Sequence, residues 1–305
     1  MLPKKLPVAP AVLLVMPHIT AGGATPLTVP LPDGRQLGLT RYGNPAHRAV
    51  VFHHGFGSSG LELPNDAALL ARLQLQILAP DRPGVGRSSV FCPLTFPSFA
   101  DDVVAMLDAL AARYPARVAA VQLLSICLPL GERAGYRHLS WVWQGLLWGQ
   151  LGLLWLNRTT FFWLSRQWAR HPNRTIDWFI RVMRPAEARA TGRLRELLRD
   201  AAVQGFVHAG RGVYDDARAW YRPPGFRIED VQAPVRLWHG QADGVWGPGN
   251  IPYPARWLGN APMHLLPARG HMLYLENWLA ILEELAALLD AEALRLPDFG
   301  RADAR

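Results

Sequence analysis

Residues 99–129, FADDVVAMLDALAARYPARVAAVQLLSICLP, decide how the chain is read. Phe99, Val103, Val104, Met106, Leu107 and Leu110 recur at helical spacing with Asp101, Asp102 and Asp108 among them, so the first half reads as an amphipathic helix. Val118, Ala119, Ala120, Val121, Leu123 and Leu124 then form an apolar run, the pattern of a strand buried on both faces. Only Arg113-Tyr114-Pro115-Ala116 separates the two. A helix that passes so quickly into a buried strand is the repeating unit of a parallel sheet covered by helices.

Outward from this unit the same alternation continues. Upstream, 28–31 and 37–40 flank the turn signal Pro32-Asp33-Gly34 and predict an antiparallel hairpin. Residues 49–52 read as a short buried strand, 64–73 as a helix with Asn65 or Asp66 as its cap, and 75–78 as the next strand. Downstream, 235–238 and 263–266 are apolar strands, and 276–289 is an amphipathic helix that buries Leu279, Ile281, Leu282, Leu285 and Leu289. The expected fold class is α/β, with a mostly parallel central sheet flanked by helices.

The character of the chain changes between 131 and 223. Trp141, Trp143, Trp148, Trp155, Phe161, Phe162, Trp163 and Trp168 crowd a segment that reads as helical, and 139–157 carries no charge. That length raises a membrane span. Gln144, Gln150, several Gly and Ser positions and the lack of a second span favour an apolar cap helix instead, or one lying on a membrane surface. At 305 residues the chain could be two small domains, or one large domain with such an insertion. The expected organisation is an extension at 1–25, a core at 26–130 and 224–290, a cap at 131–223 and a frayed tail at 291–305.

Charge and cysteine usage exclude several classes. The net charge of +8 comes mainly from scattered arginines. The densest group, Arg184, Arg189, Arg193, Arg195 and Arg199, is interrupted by Glu187 and Glu196 and followed by Asp200, with no nucleic-acid motif nearby. It reads as a solvated helix face, so nucleic acid is not an expected partner. The two cysteines, Cys92 and Cys127, give neither a disulfide framework nor a CxxC metal site, and unpaired thiols suit a reducing, cytoplasmic setting. Lys4-Lys5, the apolar 6–16 and Ala21-Gly22-Gly23-Ala24 outline a secretion signal, but Pro7 and Pro10 break its helix. A secreted or membrane-associated location is therefore the weaker alternative. No motif for a cofactor or metal is present.

Four features close successive predicted strands: His54-Gly55-Phe56-Gly57, the loop Asp81-Arg82-Pro83-Gly84-Val85-Gly86-Arg87-Ser88, Asp243 and His271. That edge is where open α/β sheets build their sites. Singly each is bland, since an Asp after a strand is usually a turn former. In this order, and over 28–289, they resemble the α/β-hydrolase fold family, in the branch with a D-R-P-G-x-G-x-S loop. The resemblance implies an oxyanion hole at Phe56 and Gly55, and a structural rather than nucleophilic Ser88. From Gly240-Gln241-Ala242-Asp243 it implies Asp243 as the acid, and from Gly270-His271 it implies His271 as the general base. It also implies hydrolysis of a small, fairly apolar ester or related bond beneath the cap. In such chemistry the imidazole takes the serine proton, and the carboxylate holds the ring in the working tautomer.

The family's G-x-S-x-G nucleophile turn, which should stand between the helix and strand of 99–129, is missing. Ser58 and Ser59 lie by the oxyanion loop, and Ser88 and Ser89 in the Asp81 loop. Ser125 has bulky Leu123 where the first glycine is required. Two accounts are open. In one, Arg113-Tyr114-Pro115-Ala116-Arg117-Val118 resembles the family's usual run into the sixth strand, so the fifth strand and its turn are absent. In the other, 118–124 is itself the nucleophile strand and Ser125 or Cys127 is a substitute, against which Pro129 stands where a long helix should run. A hybrid is also open, in which the sixth strand slides into the empty slot and brings Ser125 to Cys127 near His271. The expected protein is an impaired hydrolase, or a non-catalytic relative that binds an apolar ligand, or the product of a defective gene.

Overall fold

The computed structural model describes residues 23–91, 93–110, 120–125, 154–183, 185–220, 222–223, 225, 234–246 and 261–295. The proposed signal, the junction at 111–119, Cys92, Cys127, Pro129 and the apolar 139–153 lie outside them.

The hairpin forms from β1 (Thr25–Pro30) and β2 (Gln36–Gly43), paired antiparallel, with Gly34 at φ +86° in the turn. β3 (Arg48–Val51) and β4 (Leu75–Pro80) pair in parallel, and β2 closes on β4 antiparallel. Between them α1 (Ala67–Arg72) starts where Asp66 accepts the Leu69 N–H at 2.9 Å, which satisfies one of the helix's orphan donors. α2 (Phe96–Leu110) begins before the apolar spacing does. Thr95 and Ser98 exchange bonds, the Ser98 N–H to Thr95 Oγ1 at 3.1 Å and the Thr95 N–H to Ser98 Oγ at 3.0 Å. That reciprocal cap fixes the first turn.

β5 (Val121–Leu124), β6 (Val235–Gly240) and β7 (Met263–Leu266) form a second, wholly parallel sheet. The strand orders are β1-β2-β4-β3 and β5-β6-β7, and among the described residues no ladder joins β3 to β5. The insertion supplies α3 (Leu154–Arg170), α4 (Pro172–Val182), α5 (Pro185–Arg193), α6 (Arg195–Gly205) and α7 (Arg211–Trp220). α8 (Tyr274–Arg295) ends the described chain and continues past Leu289 into the stretch read as tail.

Apolar side chains bind these layers together. Leu70 of α1, Leu75 and Ile77 of β4, Trp238 of β6, and Leu273, Trp278 and Leu282 around α8 form one cluster that reaches both sheets. Leu27, Val29, Leu37, Leu39 and Leu78 form another, with Met106 of α2. Phe161, Trp168, Ile176, Leu198, Phe206 and Val213 make the cap's own core, against which Met272 and Leu275 pack. The cap is thus seated on the residues that follow His271. Among the described residues no helix is long and apolar enough to cross a membrane.

Leu282 is only 1% exposed where α8 spans the two sheets. Leu282→Ala is expected to cost about 2–5 kcal/mol of unfolding free energy, read from urea denaturation midpoints.

Candidate active site

Two glycines bring the acid and base loops together. A Cβ on Gly240, the last residue of β6, would lie 2.2 Å from Arg269 O, so only glycine admits the neighbouring backbone. The Ala242 N–H bonds to that same carbonyl at 2.9 Å, and the Gln241 N–H to Leu266 O at 3.0 Å. Asp243 then turns inward, 3% exposed. Its Oδ1 accepts the N–H groups of Val245 and Trp246, both at 2.8 Å. Its Oδ2 accepts from His271 Nδ1 at 3.0 Å. With one carboxylate oxygen fixed by backbone and the other on the ring, the imidazole is held with Nε2 turned away from the acid. Burial disfavours a charged His271, but the Asp243 hydrogen bond and charge, with Glu187 and Glu62 adding, outweigh it and raise its pKa above the ordinary histidine value.

Glu187, from cap helix α5, was not legible as a site residue. It is 6% exposed, and its Oε1 accepts the Gly244 N–H at 2.9 Å and the His271 N–H at 3.1 Å. One cap oxygen therefore clamps the residue after the acid and the base itself. A Cβ on Gly270 would meet that oxygen at 2.6 Å, so a larger residue there would push the Glu187 carboxylate aside.

The glycine-rich loop after β3 is linked to this pair through Glu62, which accepts the Gly55 N–H and adds to the raised pKa of His271. Among the described residues the Phe56 N–H makes no hydrogen bond to another backbone group. Gly55 departs from the expected role: its N–H is already bonded to Glu62 Oε2 at 2.5 Å. Burial raises the Glu62 pKa. Arg82 holds the loop from outside, donating to His54 O at 2.7 Å and Gly55 O at 2.8 Å while pairing with Asp216 of α7 at 2.9 Å. His54 donates from Nδ1 to Gly55 O at 2.9 Å, and burial pushes its pKa well down, so it is a neutral structural ring. Ser88 donates to Asp81 O at 2.6 Å and accepts the Gly38 N–H at 2.9 Å, a structural post as the sequence implies. Asp81 accepts the Gly60 N–H at 2.8 Å, and burial lifts its pKa to about 6.

Ser125 closes β5 beside the base. Its backbone is left-handed at φ +47° and its side chain is buried. The hydroxyl donates to the His271 carbonyl at 2.5 Å rather than to the imidazole. Among the described residues the ring's one hydrogen bond is to Asp243. His239, also at this edge, bonds through Nε2 to Trp246 O at 3.0 Å and is kept neutral by burial.

Comparisons with known proteins accord with this arrangement of strands and loops. No protein-family model and no curated protein matches the sequence. Among solved structures, a thermophilic esterase from Thermogutta terrifontis superposes with a TM-score of 0.59 at 17% identity, over 88% of this chain and 98% of that one. A carboxylesterase from Nitrososphaera gargenis gives 0.62 at 14% identity, over 88% and 100%. The fold is that of the α/β-hydrolases. A bromoperoxidase from Bacillus anthracis, at 0.59 and 17% identity over 84% and 96%, shares it as well.

Because His271 binds its proton more tightly folded than unfolded, its pairing stabilises the fold fully below the ordinary value of 6.5 and ceases to do so as pH rises through the raised value. The stability difference between wild type and Asp243→Asn is therefore expected to be largest below that value and to shrink at higher pH, measured by urea melts across pH. Glu187→Gln keeps an oxygen for the two N–H groups but removes the charge. It is expected to lower the His271 pKa in ring-proton NMR while leaving the fold intact, whereas Glu187→Ala should also broaden the His271 and Gly244 amide signals.

Proposed function

We propose that this chain keeps the acid–base half of a hydrolase site without its nucleophilic half, and serves as a non-catalytic binder of a small apolar ligand beneath the cap. One observation carries the reading. His271 is oriented by Asp243, yet the hydroxyl of Ser125 at the end of β5 donates to the His271 backbone carbonyl and not to the ring. Among the described residues the base therefore bonds no hydroxyl that it could activate as a nucleophile.

That no ladder joins β3 to β5 among the described residues supports the account in which a central strand and its nucleophile turn are absent, as does β5 lying directly beside the strand that carries the acid. Aromatic contacts at the seam between loop and cap favour an apolar ligand: Phe56, 43% exposed, lies 6.1 Å from the Phe161 ring and 5.5 Å from Trp220. Esterase chemistry is known from the similar folds, and fold alone does not transfer it.

A second reading has its own support. A non-glycine residue at positive φ where a strand ends is strained, and strain of this kind gathers at functional sites. In that reading a side-chain rotation frees Ser125 Oγ to serve as a weak nucleophile.

Turnover of short and medium nitrophenyl esters, with labelling by a fluorophosphonate, separates the two. The expected result is no hydrolysis beyond that of His271→Ala and no label. Hydrolysis lost in both Ser125→Ala and His271→Ala, with the label on Ser125, would replace the first reading by the second. Resequencing the coding DNA around 110–117 checks for a gene defect.

A further inference from the structure

α3 and α4 each bury one face in the cap's core and turn the other outward. α3 buries Phe161 and Trp168, and α4 buries Thr175 and Ile176. Their outer faces carry Phe162, Trp163, Trp178 and Val182, exposed by 45%, 55%, 51% and 60%. Single exposed apolar residues are common on any surface and mean little. Here the two tryptophans exposed among the described residues, a phenylalanine and a valine share two consecutive helices that meet at the turn around His171.

Their polar neighbours are of one sign. The two helices hold five arginines, Arg158, Arg166, Arg170, Arg174 and Arg181, and a single acid, Asp177. That acid is already paired with Arg195 at 2.7 Å. The Arg166 guanidinium lies 5.6 Å from the Phe162 ring centre, so cation and aromatic are interleaved. Beside them a cavity of about 520 Å³ opens between α3 and the turn at His208–Gly210, lined by Arg158, Thr159, Phe162, His208 and Tyr214.

We propose that this face docks on an anionic lipid bilayer, with the aromatic rings at headgroup depth and the arginines on the phosphates. Tryptophan flanked by arginine suits that interface, where one end of the ring is apolar and the other wet. A nucleic acid would also use the arginines and stack on the rings. Val182, the most exposed of the four, has no face to stack and no donor to offer, and gains only where hydrocarbon is present. The cavity has the cation and the room for a lipid phosphate headgroup. The contact proposed is a peripheral one, made by side chains on the outer faces of α3 and α4.

Flotation of the full chain with vesicles of phosphatidylcholine, alone or mixed with phosphatidylglycerol, tests this. The expected result is partition onto the mixed vesicles, weakened by salt and small on phosphatidylcholine alone. Trp163→Ser with Trp178→Ser should reduce it about tenfold or more, and Arg166→Glu with Arg174→Glu should abolish the preference for anionic lipid. All four positions face solvent, so circular dichroism should be unchanged. Absence of partition at low salt, or partition indifferent to both variant pairs, overturns the proposal. So do tryptophan-dependent self-association in the ultracentrifuge without vesicle binding, and retention of single-stranded nucleic acid without vesicle binding.

Discussion

The contact between the acid loop and the base loop is the constraint on which the site rests. Backbone meets backbone there at a distance that tolerates no side chain at Gly240, and the Ala242 N–H ties the two loops together. Everything chemical follows from that approach. Asp243 is held by two N–H groups before it reaches the ring, so its orientation costs the imidazole nothing. A carboxylate prefixed in this way sets the histidine tautomer, whether or not a reaction uses it.

What the sequence reveals of this site is what backbone sterics impose. Asp243 and His271 were legible through the family resemblance carried by Gly240-Gln241-Ala242-Asp243 and Gly270-His271, and at Gly240 the close backbone approach gives the motif its physical reason. Asp66, one of two candidate caps, is likewise a local matter settled by one hydrogen bond. Glu187 and Glu62 were missed for the opposite reason. Glu187 reaches the site from a helix far along the chain, and it looked like one more acid in a solvated basic stretch. Glu62 lies in a loop with no periodicity to mark it. The early start of α2 depended on a reciprocal Thr95–Ser98 cap that apolar spacing does not register.

The stretch at 99–129 proved informative at both ends. α2 covers the first sheet through Met106, and β5 opens the second. Between the two sheets no described strand provides a ladder, so cohesion falls to side chains. Trp238, Ile77 and Leu282 share one apolar cluster that reaches across the break. Such packing is indifferent to hydrogen-bond register, which lets the fold persist where a ladder does not. The hydroxyl at the end of β5 adds to that support by bonding the backbone carbonyl of His271.

Glu187 also bears on how anything enters. Lids swing by letting go of the body at one margin, and they do so most easily where few polar contacts cross. At this corner the cap grips both loops through one buried carboxylate. Lifting it there would bare the Gly244 and His271 amide groups together, so one side chain of the cap ties it to the acid loop and the base loop alike.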